Sequence, residues 1–323
     1  MTERASTSPP VLLAVVTYNS APDLPELLQS LPAALQGVPD WQLVIADNAS
    51  TDGTPELARR LAPAATVLTS NVNRGYAAGL NACAALAGAE HAVLSLNADV
   101  QLGPGSVRAL LDACTDGITG VAVPVVHGPD GEREPTLRRR PTALRAWGEA
   151  LLGHRAGAVP LLGERLPVRS TGNEGDWANG AVVLVPAKVR NHVGPWREDL
   201  FLYCEEVDYC RRVTDAGWRV RQVSTATAEH RGGDVVRFPR LWAQLMTNKV
   251  VHAARWNGQV TARLVWAALV VGQLIRLPLR RSIHRHALAA LVAGRRRLLA
   301  GDPTHPALSP ELQRALPAPE GDR

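Results

Sequence analysis

Four cysteines in 323 residues, none in a CxxC spacing, are too few for a disulfide scaffold or a zinc ribbon. Cys83, Cys114, Cys204 and Cys210 therefore read as reduced thiols of a cytoplasmic protein. An export signal is missing too: MTERASTSPP carries an acid and two prolines where a secretory leader needs a basic start and an apolar core. No GxGxxG follows the first apolar run, where the chain reads TYNSAPDL, and this disfavours a dinucleotide-dependent dehydrogenase or a nucleotidyltransferase. Acids are absent from 235–300, which holds twelve Lys or Arg and leaves 23 basic against 30 acidic residues elsewhere. The chain is thus an acidic body with a basic tail, and such a tail points to a polyanionic partner, nucleic acid or an anionic membrane face. Long uninterrupted apolar runs are lacking as well. Residues 260–279 come nearest, but Arg263, Gln273, Arg276 and Pro278 break them, whereas a span needs ~20 predominantly apolar residues.

What is present is an alternation. VLLAVVT at 11–17 is continuously apolar and rich in β-branched residues, as in a strand buried on both faces. Leu24, Leu27, Leu28, Leu31 and Leu35 follow at helix spacing, QLVIAD at 42–47 is a second strand, and NASTDGT is a turn before a helix at 55–61. Segments 66–69, 76–86, 91–96, 106–113 and 118–126 continue the pattern, predicting an α/β fold with a Rossmann-like, mainly parallel sheet and helices on both faces. From 127 to 175 the pattern dissolves into Pro, Gly and Arg and reads as a substrate-facing excursion. A strand at 181–185, a helix at 205–216 and a last strand at 219–226 follow. The expected organisation is a catalytic body at 1–233, a basic amphipathic helical region at 234–300 and a flexible Pro-rich tail at 301–323.

Ligands of parallel α/β sheets sit at the carboxyl ends of the strands, and polar residues gather there in this chain. Thr17, Tyr18 and Asn19 end the first strand, Asp47 and Asn48 the second; Asn73, Arg74 and Gly75 follow the third, and Asn97 and Asp99 end the fourth. Asn, Asp and Gly close strands in any protein, but four such loops on one edge point to a binding rim. Asp99 offers the hard oxygen required by a divalent cation bridging a diphosphate, with a helix cap near Gly105 as the plain alternative. His230 returns to the same rim and can complete a metal site, although a lone His is more often structural. Glu205, Glu206 and Asp208 open a helix, where exposed N–H groups favour acids in any case. The apolar residues at 200–203 before them can bury the cluster and raise a carboxyl toward the range of a base. Trp177 suits stacking on a sugar or packing in a core. Arg138, Arg139 and Arg140 suit phosphate or form a solvated charge run.

In their order and spacing, VTYNS, ADNASTDGT, NVNRGYAAGLN, LNADV, GDWANGAVVLV, FLYCEEVDYCRR and AEHRGG resemble the inverting family-2 glycosyltransferases of the GT-A fold, among these the rhamnosyltransferases that use dTDP-L-rhamnose. The resemblance covers roughly 11–233. It implies that Thr17, Tyr18, Asn19 and Asp47 hold the nucleotide, with Asp47 reading the base, and that Asn73, Arg74 and Gly75 line the diphosphate and sugar. It implies that Asp99 is the retained acid of a DxD motif binding Mg²⁺ or Mn²⁺, with Asn97 on the donor side in place of the first acid, and that His230 is a late metal-binding histidine. Glu206 matches the catalytic acid of the family's "ED" pair, with Glu where many members have Asp. Trp177 matches an acceptor-side aromatic, with Glu205 and Arg138 on the same side.

The implied reaction is an inverting transfer, with Glu206 as base, of L-rhamnose from dTDP-L-rhamnose onto a polyprenyl-diphosphate-linked glycan, as in cell-wall or polysaccharide biosynthesis. UDP-galactose, UDP-glucose or GDP-mannose stand as other donors. Trp242, Trp256 and Trp266 among the arginines fit an interfacial helix on the anionic inner leaflet, which gives a cytoplasmic protein held peripherally. Nucleic-acid binding by the tail is the alternative from another class, disfavoured because the tail has no recognition module. An inactive membrane scaffold is a third.

Overall fold

The computed structural model describes residues 8–166, 174–279 and 281–302. Its first part runs β1 (Val11–Thr17), α1 (Leu24–Ala34), β2 (Trp41–Asp47), α2 (Thr54–Leu61), β3 (Thr66–Thr69), α3 (Tyr76–Ala84), β4 (Ala92–Asn97), β5 (Val100–Leu102), α4 (Ser106–Ala113) and β6 (Thr119–His127). It continues with β7 (Leu137–Arg138), α5 (Ala143–Leu152), β8 (Glu174–Gly175), β9 (Trp177–Ala178), β10 (Val182–Val185), α6 (Ala187–Val193), α7 (Glu205–Asp215) and β11 (Arg219–His230). The C-terminal helices are α8 (Asp234–Arg237), α9 (Pro239–Arg276), α10 (Arg281–Ala293) and α11 (Arg295–Leu299). The Pro-rich end from 303 onward lies outside the described residues.

The main sheet has the order β3-β2-β1-β4-β10-β6-β11-β5, with β8 added to β11. β1 is parallel to β2 and β4, and β6 to β11, whereas β10 runs antiparallel between β4 and β6. β1 shows why the apolar run is continuous. Val11, Leu13 and Val15 enter one core with α1 and α4, while Leu12, Ala14 and Val16 enter another with α3 and α7; in a period-2 element both faces are apolar only if both are covered. The sheet and its two helical layers are the expected α/β architecture.

The excursion at 127–175 contains a helix that composition hides. Thr142 caps α5 by accepting the Arg145 N–H at 3.2 Å, and Ala146 and Ala150 face inward. The flanking Pro, Gly and Arg mask these three turns. The last strand also runs farther than expected, to His230, because its end pairs antiparallel with β5, opposing His230 to Val100.

α9 is long and apolar enough to cross a membrane by length and composition alone, but it is not one rod. Gly258 takes φ 80° and ψ 170°, outside the helical region, and the chain doubles back there. Trp242 and Gln273 would stand roughly 46 Å apart on a straight helix; instead the Trp242 indole N–H donates to Gln273 at 2.9 Å. The two limbs form an antiparallel hairpin against α5 and α10. A third core joins Ala146 and Ala150 of α5, Cys204, Val207 of α7, Val250 and Ala268 of α9, and Leu291 of α10. The region expected to associate with a membrane is thus packed into the catalytic body. Its three tryptophans are engaged inside the protein, contrary to the expected lipid anchors: besides Trp242, Trp256 donates to Asp208 at 3.0 Å and Trp266 to the Leu291 carbonyl at 2.9 Å. Val260, Leu264, Leu274, Ile275, Leu279 and Val292 are the large apolar residues this region exposes, besides Leu144, Leu151 and Leu152 of α5.

Candidate active site

The loops after β1 and β2 brace each other. Asn19, at φ 50°, receives Thr51 N–H on its side-chain oxygen at 2.9 Å and donates its own N–H to Ser50 at 2.8 Å. Ser20 and Ala21 N–H groups reach Thr54 and Asp52. Asp47 is buried at the end of β2; one carboxylate oxygen accepts from the hydroxyls of Thr17 (2.8 Å) and Ser50 (2.5 Å), the other from Ser50 N–H (2.9 Å). That leaves about one of its four lone-pair positions for a donor such as a base imide. Thr17 therefore acts on Asp47 rather than outward, while Tyr18 keeps a half-buried ring at the rim.

Past β3, Asn73, Arg74 and Gly75 of the NVNRG motif each have an internal partner. The Asn73 side chain accepts the Gly75 N–H at 2.9 Å, and Arg74 is ion-paired with Glu198 at 2.9 Å. Gly75 has φ 90°, and a Cβ there would lie 2.1 Å from the Phe201 carbonyl oxygen. Asn48, placed on the rim by its position after β2, donates to the Gly75 carbonyl at 3.0 Å.

At the end of β4 and β11, the β5–β11 pairing brings Asp99 and His230 together, Oδ2 to Nε2 at 3.3 Å, with Gly232 N–H on the same oxygen at 3.0 Å. Burial would push the Asp99 carboxyl up, but His230 and the Gly232 N–H hold it below the usual carboxylate range. No group of three or more His, Cys, Asp or Glu forms a metal cage among the described residues. A carboxylate facing an imidazole suits Mn²⁺ or Mg²⁺ when a diphosphate supplies the remaining oxygens. Asn97 lies beside this pair and lines a cavity.

That cavity, about 610 Å³, brings the acceptor-side residues Glu205, Trp177 and Arg138 together with Glu206 and His230, and Asn179 lines it as well. β7 and β9 form a two-stranded ribbon that sets Arg138 opposite Trp177, with the guanidinium 5.9 Å from the indole centroid. The other two arginines of the run are consumed by structure: Arg139 donates to the carbonyls of Gly163 and Arg165, and Arg140 pairs with Asp215.

Burial pushes both glutamates up. Glu205 reaches about 8, the nearby charge of Glu206 adding to the effect. Glu206 reaches about 7, where backbone N–H donors and the charges of Arg138 and Lys249 pull it back. Glu205 is 4 % exposed, whereas Glu206 opens into the cavity. The outer residue is thus the one that ionises near neutrality at the cavity surface. Tyr76 stands among Glu205, Glu206 and Asp99, and burial together with their charge raises its phenol well above the usual value.

The loop before α7 is strained, with Phe201, Tyr203 and Cys204 at φ 63°, 71° and 71°. It is held from the tail. The Asn248 amide donates to the carbonyls of Leu200, Leu202 and Tyr203 at 2.9, 3.0 and 2.9 Å. Lys249, counted above among the membrane-facing charges, instead lines the cavity between Glu164 (3.1 Å) and Glu149 (3.6 Å). Neither residue has a motif signal. An Asn-Lys pair in an apolar helix is the one trace, legible only with the partners from α5 and its following turn.

A doubly covered α/β sheet with a diphosphate-suited acid at one strand end and a raised carboxyl over a cavity defines a sugar-transferring enzyme. The Glycosyl transferase family 2 model matches residues 13–167. The N-acetylglucosaminyl-diphospho-decaprenol L-rhamnosyltransferase of Mycobacterium tuberculosis is 32% identical over 308 residues, which cover 88% of this chain and 98% of that protein. The chain belongs to glycosyl transferase family 2 and is a glycosyltransferase, as the motif resemblance implied. Among solved structures, the mannosyltransferase PcManGT from Pyrobaculum calidifontis, in complex with GDP-Man and Mn2+, aligns with TM-score 0.54 at 18% identity, over 91% of this chain and 88% of its own. GalNAc-T7 with UDP, GalNAc and Mn2+ aligns with TM-score 0.57 at 11% identity, over 89% and 56%. Both are GT-A glycosyltransferase structures, and this chain has their fold.

Proposed function

We propose that this glycosyltransferase moves L-rhamnose from dTDP-L-rhamnose, with inversion, onto an amino sugar carried on a polyprenyl diphosphate. The observation that supports the reading most is the 32% identity to a rhamnosyltransferase across 98% of that relative. The braced loops after β1 and β2 hold the nucleotide, with the remaining acceptor position of Asp47 facing the base. Asp99 and His230 hold a divalent cation, which when bound neutralises charge on the donor diphosphate. Glu206, whose carboxyl ionises near neutrality, takes in its ionised form the proton from the attacking acceptor hydroxyl. Glu205, raised further, stays protonated behind it and does not compete for that proton. Trp177 presents its ring to the acceptor sugar, and its indole N–H is fixed on the Arg139 carbonyl at 3.0 Å.

The enzyme sits at the cytoplasmic face of the membrane as a peripheral protein. The exposed leucines of α5 and α9 support this, as do the exposed Arg263, Arg285, Arg295 and Arg296. The test is a panel of labelled dTDP-rhamnose, UDP-galactose, UDP-glucose and GDP-mannose offered with a membrane extract. Label should enter the lipid fraction from dTDP-rhamnose alone. Preferential transfer from another donor overturns the assignment of the sugar.

A further inference from the structure

The cavity reaches well beyond the sugar-transfer residues. From Glu206 and Arg138 it continues between α5 and the hairpin of α9, where Ala146, Ala150, Val265, Leu269 and Gly272 line it and most of the wall is apolar. α5 and α9 close the far end of this cleft, where a Cβ on Gly272 would lie 3.3 Å from Ala150. A glycosyl acceptor sugar needs no apolar cleft of this kind.

Arg138 is the second observation. It stands inside the cavity where α5 and the turn after it bring Glu149 and Glu164, but those carboxylates are taken by Lys249. Among the described residues no carboxylate lies within ion-pair distance of Arg138, and its neighbour in contact is the face of Trp177. Burial and the neighbouring charge of Arg165 depress its pKa more than the carboxylates of Glu164, Glu149 and Glu134 raise it. A cation in an apolar enclosure is stabilised by an anion that arrives with a ligand.

We propose that the cleft between α5 and α9 is a binding subsite for a polyprenyl diphosphate, with Arg138 on the diphosphate and the first isoprene units between the two helices. The proposal rests on the lipid-linked acceptor of the reading above. Its size fits: 610 Å³ accommodates a drug-sized ligand, which is far less than a long polyprenyl chain, so the remainder of the lipid stays outside. Next along the chain from the lining residues Ala150 and Gln273 come Leu151 and Leu152, and Leu274 and Ile275, all about half exposed. These continue the apolar path outward to the bilayer in which the rest of the chain lies.

The test uses farnesyl diphosphate, farnesol and inorganic diphosphate as probes on the intact protein without membranes, read by the fluorescence of Trp177 and Trp242, which both line the cavity. Farnesyl diphosphate is expected to bind about 10–100-fold more tightly than either fragment. Arg138→Ala should erase the advantage of the diphosphate over farnesol, and Arg138→Lys should restore part of it. Equal binding of farnesol and farnesyl diphosphate by the wild-type protein overturns the role of Arg138, and equal binding of inorganic diphosphate and farnesyl diphosphate overturns the apolar subsite. Because wild-type protein gives both results, the proposal survives a variant that fails to fold. Farnesyl diphosphate binding without sugar transfer to any lipid would count against the proposed function alone, and transfer without such binding against this subsite alone.

Discussion

Replacing Gly75 by alanine should disable the enzyme through a residue that need not touch substrate. The backbone there has φ 90° and ψ 173°. An added Cβ would approach the Phe201 carbonyl oxygen to 2.1 Å and the Phe201 C and Cα to 2.8 Å, and none of these can swing aside as a side chain does. Gly75 is pinned by Asn73 on its N–H and by Asn48 on its carbonyl, so the 200–204 loop must yield. Its movement breaks the Tyr76 N–H bond to Phe201, 2.8 Å long, and disturbs the contacts with Asn248. Strain of ~1–3 kcal/mol, a forced contact of ~1–3 and an unsatisfied buried group of ~1–3 together give about 3–9 kcal/mol. That is a large share of a typical ~5–15 kcal/mol stability. Gly105 is the control, because φ is 67° but nothing lies within 4 Å of its Cβ; Gly105→Ala should cost only ~1–2 kcal/mol. Urea denaturation and turnover of labelled donor measure both variants. If Gly75→Ala unfolds at the same urea concentration as Gly105→Ala and keeps wild-type turnover, the packing argument is wrong.

Glu206→Gln should lower kcat by ~10²–10⁴ with donor affinity nearly unchanged, and wild-type kcat/KM should rise with pH through about 7 as this carboxyl ionises; a flat profile from pH 6 to 8 counts against Glu206 as the base. The folded pKa of Glu205 is raised, so the folded state keeps a proton that the unfolded chain releases, and the associated stability is lost as pH climbs from the usual 4.5 to about 8. Thermal melts of Glu205→Gln should therefore gain on wild type as pH rises across that window, and a constant difference refutes the sign. Asn248→Ala should cut kcat more than donor affinity by releasing the strained loop, detectable as faster amide exchange at 200–204; unchanged exchange there would leave Asn248 without that role. Arg276 holds the Glu149 and Ala150 carbonyls at 2.8 and 2.7 Å, so its replacement should destabilise the fold, whereas Leu274→Asp with Ile275→Asp should weaken binding to anionic vesicles at constant stability.

The main sheet was readable because its strands are covered on both faces: 11–17 and 92–97 can be little else in an apolar run bounded by turn residues. The rim was readable for the same reason, since it follows from strand ends. Roles within the rim were not. Thr17, Asn73 and Gly75 carry the motif, yet the structure has them holding Asp47 and the loops. α5 was hidden by composition, and Lys249 by its surroundings, because its two carboxylate partners lie 85 and 100 residues earlier in the chain. The hairpin depended on one torsion at Gly258, which hydrophobic periodicity does not encode.

Asn248 also gives the protein an order in time. A ribosome releases the chain from its N-terminus, so both glutamates and every donor loop emerge before the helix that ties down the 200–204 segment. Until about 250 residues are free, no Asn248 donates to the three carbonyls of the segment, and the start of α7 that carries Glu206 lacks this support. If Glu206 is the base, a nascent chain that already holds the complete set of motifs should turn over no substrate until the first limb of α9 has been made and packed.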